Sequence, residues 1–270
     1  MQPPSDNPPQ GIRAGNTGQR WPVAPEPTPP PRPTAARRGP ARTGADRAPS
    51  LSSAAVTLTA RPPDRRTELH RVWPARPVRA AAVVGSFVAL LWIVQAVNAA
   101  DRQRLVGERG ILPLREDGLD GIVFAPLLHA GWVHLEGNTL PVLIFAFLAT
   151  SAGLLRFGLA TAVIWVVAGV GTWLFGGLGT VHIGASSLIF GWLTLLLARG
   201  FFARSTGQIV LAGVLFLAYG SLLWGVLPTA YGVSWQGHLF GALGGLLAAV
   251  LVSRPEPASR RAAAALPPGW

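Results

Sequence analysis

The sequence predicts an all-α membrane protein: a bundle of six transmembrane helices, with a re-entrant loop before a short fourth helix. Three observations predict it. Half of the 270 residues are apolar and only 13% are charged, about half the charged share of a soluble domain. The charge is segregated, with 13 Arg against five acids in residues 1–79 and 10 Arg against seven acids in the remaining 191. Uncharged stretches long enough to cross a hydrocarbon core then recur along the body. This composition excludes a soluble globule of the whole chain. The absence of Cys excludes disulfide frameworks, CxxC redox chemistry and Cys-ligated zinc. All 23 basic residues are Arg, which reads as the codon bias of a GC-rich bacterial genome.

Residues 1–78 form a Pro- and Arg-rich head (PPSDNPP, PEPTPPPRP, ARPPDRR) without long apolar runs. Such a segment buries too little apolar area to offset its ordering entropy, so it is expected to be a disordered tail that meets anionic lipid. An Arg-rich nucleic-acid arm and a PxxP ligand are the weaker readings. No apolar h-region lies in the first 30 residues, so no cleaved signal peptide is expected. The membrane domain is expected over 79–254, followed by a short disordered tail, 255–270.

The elements follow in order. Span 1 is the uncharged run of 21 residues between Arg79 and Asp101, about 32 Å as a helix. A polar stretch, 101–120, follows. Span 2 is expected over about 133–149, span 3 over 157–174, span 4 over 186–198, span 5 over 208–227 and span 6 over 237–253. On a six-span plan the head, Arg156, Arg199, Arg204, Arg254, Arg260 and Arg261 all fall on one side. The other side has the 1–2 loop, with four Arg against five acids, and two loops without Arg. The positive-inside rule places both termini in the cytoplasm, and the expected location is the bacterial plasma membrane.

Polar side chains inside a bilayer are costly and mark function. Ser186 stands 13 residues before Arg199, about 20 Å of helix, too short for a full crossing. The Gly-rich FGGLGTVHIGA before it breaks the helix, so span 4 is expected to start inside the membrane below a re-entrant loop beside water. His238 stands 16 residues before Arg254, about 24 Å, at similar depth. A hydroxyl and an imidazole at one depth can form a nucleophile–base pair, or each can satisfy a neighbouring backbone group. In HLEGN, His134 and Asn138 are four residues apart and share a helix face. They can hold an oxyanion or make an ordinary interhelical contact. Gly237, Gly241 and Gly245 form a small-residue stripe on span 6, and Ser187 and Gly191 repeat that spacing on span 4. Close 4–6 contact is what a Ser186–His238 hydrogen bond requires.

These motifs together resemble the rhomboid family of intramembrane serine proteases. The match comprises H-x4-H-x3-N (His129, His134, Asn138), G-x-S (Gly184, Ser186) and H-x2-G-x3-G (His238, Gly241, Gly245), in family order over roughly residues 79–254. The resemblance implies that Ser186 is the nucleophile and His238 the general base, without a third acid. It implies an oxyanion hole of His134, Asn138 and the Ser186 N–H, with Gly184 giving close approach and Phe190 stacking on His238. His129 is implied to be structural, ordering the 1–2 loop by hydrogen bonding. Two features depart from the family: Ser187 stands where G-x-S-G has its last Gly, and the 1–2 loop lacks a Trp-Arg pair. His182 has no family counterpart and is expected to make a loop hydrogen bond.

The expected activity is endoproteolysis of transmembrane protein substrates, with no metal and no organic cofactor, no nucleic-acid partner, and the lipid bilayer as surroundings. The alternative is a catalytically inactive rhomboid-like protein that binds client helices. A small transporter or channel would need charged sites on several spans, and the sequence offers Glu136 alone near a span.

Overall fold

A computed structural model describes residues 69–228 and 232–253. The expectations for the head before residue 69 and for the tail after 253 lie outside the described residues. Among those described are six helices long and apolar enough to cross a membrane. Span 1 is Pro77–Ala100, span 2 Trp132–Ala152, span 3 Leu154–Phe175, span 4 Ser186–Ala203, span 5 Thr206–Val226 and span 6 Trp235–Ser253. The chain is an all-α bundle, as predicted, and its one β feature among the described residues is an isolated antiparallel bridge between Ile111 and His182.

Each helix has a legible origin. Pro77 opens span 1, where its missing N–H is no loss. Ala80, Val84, Leu91, Gln95 and Asn98 form its buried stripe, and Ile93 and Val97 point outward. Span 2 tolerates Pro141, as membrane helices do when neighbours support the freed carbonyl. Spans 2 and 3 are joined through Gly153, whose φ of +101° suits glycine alone. Span 5 ends in a 3-10 turn, Gly220–Val226.

Span 4 is the central helix. Of its length 67% is buried, against 11% for span 5, so span 4 is the core and span 5 is peripheral. Its Leu188, Trp192 and Leu193 share one core cluster with Phe145 of span 2 and Ile164 of span 3. The helix runs to Ala203, past the boundary expected at 198, and Arg199 is buried within it. The reason lies in residues 69–76, which cover this end. The Arg199 guanidinium donates to the Arg71 carbonyl at 3.4 Å, and Gln208 Nε2 donates to the Leu69 and Arg71 carbonyls at 2.8 and 2.7 Å. With 18 residues, span 4 is still the shortest of the six.

Spans 4 and 6 lie in close contact, and glycine is the cause. A Cβ on Gly241 would collide with the Ser187 carbonyl, and one on Gly245 with the Gly191 carbonyl and the Thr194 hydroxyl. Thr194 seals the contact by donating toward the Ala242 carbonyl at 2.9 Å. The 1–2 loop is fastened to span 3 by two indoles: Trp165 donates to the Ile122 carbonyl at 2.8 Å and Trp173 to the Arg115 carbonyl at 2.9 Å. The same loop carries the ion pairs Arg104–Glu108, Arg109–Asp120 and Arg115–Asp117.

Candidate active site

Span 4 begins below the loop 176–185, as the Gly-rich sequence there predicts. The loop satisfies its backbone against the 1–2 segment: His182 and Ile111 exchange two hydrogen bonds of 3.0 Å, and Gly184 N–H donates to the Ala125 carbonyl at 2.8 Å. Gly184 has a φ of +112°, which a side chain rarely adopts. A Cβ there would stand 2.9 Å from His134 Cε1, 3.0 Å from His134 Nε2 and 3.6 Å from Ser186 Oγ. Gly184 is therefore where span 2 and the start of span 4 meet.

Ser186 Oγ lies 2.9 Å from His238 Nε2. His238 Nδ1 lies 2.9 Å from the Gly225 carbonyl. A carbonyl only accepts, so Nδ1 carries the ring hydrogen and Nε2 turns its lone pair to the serine hydroxyl. The ring also lies flat on Phe190, with centroids 4.1 Å apart and planes 9° apart. Stacking and the Gly225 bond together set both its plane and its tautomer.

His134 and Asn138 occupy one face of span 2. Ala130 N–H approaches His134 Nδ1 at 3.4 Å, which leaves the hydrogen on Nε2, the ring nitrogen facing Gly184. Asn138 is buried, and its Nδ2 has no hydrogen-bond partner among the described residues. Two neutral donors without acceptors thus stand one helical turn apart. The Ser186 N–H, in the first turn of span 4, lies outside the helical ladder and is a third. Beside Ser186 is a cavity of about 20 Å³ bordered by Ser187, Thr172, His182 and Ser234, room for about one water.

Every predicted site residue is drawn into this region or into the helix contact that supports it. Ser186, His238, Phe190, Gly184 and His134 meet directly, Asn138 lies on the same face as His134, and Gly241 and Gly245 hold spans 4 and 6 together. His129 acts differently from the expectation. Its ring nitrogens make no well-formed hydrogen bond among the described residues, and it packs edge-on to His134 at 5.0 Å. It is the His129 backbone carbonyl that is bonded, to Asn98 Nδ2 at 3.3 Å. Burial holds the His129 imidazole down to about 4, with the nearby His134 adding to the effect. His182 does make the loop hydrogen bonds expected of it. Its Nε2 meets the Gly176 carbonyl at 3.0 Å and its Nδ1 the Ser234 hydroxyl at 2.7 Å, and burial lowers its pKa.

Sequence reasoning missed Gly225, Ser234 and Thr194. Gly225 acts through its main chain, which residue type does not signal. Ser234 and Thr194 are single polar residues in apolar runs, a signal of the kind that singled out Ser186. Among the described residues no three His, Asp or Glu converge as metal ligands.

A membrane-embedded six-helix bundle with a serine hydroxyl on a histidine ring defines the class. The family model described as Rhomboid domain matches residues 117–255. The chain belongs to the rhomboid family. It is 51% identical over 183 residues to "Uncharacterized protein Rv1337" of Mycobacterium tuberculosis (strain ATCC 25618 / H37Rv), covering 65% of this chain and 76% of that one. It is 48% identical over 183 residues to "Uncharacterized protein ML1171" of Mycobacterium leprae (strain TN), covering 65% and 72%. It is 32% identical over 127 residues to "Putative rhomboid protease YdcA" of Bacillus subtilis (strain 168), covering 46% and 63%. No solved structure matches the chain.

Proposed function

We propose that this protein is an intramembrane serine endopeptidase that cleaves transmembrane protein substrates with a Ser186–His238 dyad. The observation that carries the reading is the 2.9 Å approach of Ser186 Oγ to a His238 ring whose other nitrogen is held by the Gly225 carbonyl. His238 Nε2 takes the serine proton as Oγ attacks the scissile carbonyl. The Asn138 amide, His134 Nε2–H and the Ser186 N–H stabilise the tetrahedral oxyanion. His238 then gives its proton to the leaving amine, and a water deprotonated by His238 releases the acyl-enzyme. Helical amides are hydrogen-bonded and shielded, so a substrate helix unwinds locally at the cut, which favours small or helix-breaking residues there.

Sideways access from lipid near spans 2 and 5 is part of the reading. Span 5 is the least buried of the six and touches span 2 through the Phe145–Tyr219 ring pair. The Arg distribution supports termini on the cytoplasmic side of the bacterial plasma membrane, with the dyad toward the outer leaflet.

The test is cleavage of a model single-span substrate in proteoliposomes, with labelling by a serine-directed fluorophosphonate probe. Wild type and Ser187→Ala are expected to cleave and label. Ser186→Ala and His238→Ala are expected to be inactive while remaining folded and inserted. Labelling that survives Ser186→Ala contradicts the assignment, and a wild type that neither labels nor cleaves points to the client-binding alternative.

A further inference from the structure

The face where spans 1 and 3 begin lies away from the start of span 4, where the dyad sits, and the proteolytic reading leaves it without a role. A cavity of about 580 Å³ opens there, within the range of small-molecule sites, about 300–1,000 Å³. Arg71, Arg76 and Arg156 line it on one side, with Leu154, Leu155 and Leu159 on the other. No carboxylate among the described residues pairs with Arg71 or Arg76. The lining of this cavity therefore combines arginine side chains with apolar leucines.

A second hollow lies next to it along the same two helices. It measures about 160 Å³ and is lined by Val83, Val84 and Phe87 of span 1, Phe157 and Trp165 of span 3, and Trp192. Register makes the two neighbours. Ala80 lines the first and Val83 and Val84 the second, three and four residues on. Leu154 lines the first and Phe157 the second, three residues on. Each pair shares a helix face. Thr161, the polar residue of the groove, has its hydroxyl bonded by Trp192 Nε1 at 3.0 Å, so the groove offers no open polar group. A cavity of about 150 Å³ admits benzene, so this groove takes about six carbons of a chain.

We propose that this cleft is a binding site for one anionic phospholipid, its phosphate held by Arg71 and Arg76 and the first part of an acyl chain laid between spans 1 and 3 against Trp192. A cationic mouth beside an apolar slot matches the two ends of such a lipid and neither end of a peptide or a free anion. Segment 69–76 supplies the two arginines and also covers the buried Arg199. Bound lipid therefore ties this segment to the bundle at the boundary of the membrane domain.

The experiment is native mass spectrometry of the full chain in detergent, titrated with phosphatidylglycerol or with phosphatidylcholine of the same acyl chains. Wild type is expected to retain one phosphatidylglycerol in preference to phosphatidylcholine. The double variant Arg71→Gln/Arg76→Gln is expected to bind phosphatidylglycerol on the order of tenfold more weakly and phosphatidylcholine as before. Both substitutions leave the Arg71 carbonyl, and so its bonds to Arg199 and Gln208, in place. Val83→Trp, which fills the groove, is expected to weaken both lipids. Equal retention of the two lipids by wild type, or unchanged phosphatidylglycerol binding in the double variant, overturns the proposal. So does displacement of the lipid by millimolar inorganic phosphate, which assigns the arginines to a free anion. A wild type that retains no lipid overturns it too and leaves the cleft to a segment of protein.

Discussion

Asn138 Nδ2 is a buried donor without a partner among the described residues, at a position where neighbouring donors also lack acceptors. An orphaned donor costs free energy unless something accepts from it, and a tetrahedral oxyanion is such an acceptor. Asn138→Ala is expected to lower kcat about 10²- to 10³-fold with little change in KM. His134→Ala is expected to have a similar effect, measured on the same single-span substrate. A change confined to KM would assign these donors to substrate binding. The contrast with Ser187 is informative. It stands where the family motif has glycine, yet its main chain, not its hydroxyl, is what Gly241 approaches.

At the scale of elements, the contact between spans 4 and 6 is the one with the least slack. Gly241→Ala places a methyl where the Ser187 carbonyl already lies, so the helices must separate or shift. A loss of stability of about 1–3 kcal/mol is expected, together with a larger loss of activity, because the same contact sets the Ser186–His238 distance. Thermal unfolding in detergent, read beside cleavage, separates the two effects. Thr194→Val keeps the shape but removes the bond to Ala242, and is expected to cost about 1 kcal/mol. The glycine stripe was legible in the sequence because small residues at four-residue spacing have few other causes in an apolar helix. The true end of span 4 was not. A rule that treats Arg as a marker of solvent stops the helix at Arg199, and only the fold reveals that the distant Arg71 carbonyl receives its proton.

For the whole molecule, the arrangement of charge makes a prediction about sidedness. The chain has no Cys, so single cysteines report cleanly. Cys introduced at the exposed positions Glu116 or Leu178 is expected to react with an impermeant maleimide in intact cells. Cys at Arg204 is expected to react only after lysis. The reverse pattern overturns the inside assignment of the termini. Stability also has a calculable pH dependence. Burial holds His129 neutral, with its pKa near 4 against 6.5 for the free side chain. Its contribution is complete above pH 6.5, shrinks as the pH falls through the interval between the two values, and is lost below about 4. The loss is on the order of 3 kcal/mol, and His182 shifts in the same sense. The unfolding temperature is expected to fall from pH 7.5 to 4.5, less steeply in His129→Phe.

Six long apolar helices, the break before span 4 and the convergence of Ser186 with His238 were all readable from apolar length, glycine and charge. These signals are carried by side-chain type and survive without coordinates. What escaped was carried by the main chain. The partner that keeps the His238 tautomer is the oxygen of Gly225, in the 3-10 turn that ends span 5. In many serine hydrolases a carboxylate does this work and can be erased by a single substitution. Here the corresponding atom belongs to every amino acid alike. On the proposed mechanism, alanine scanning is therefore expected to report Ser186 and His238 alone, because the Gly225 contribution is encoded by backbone shape.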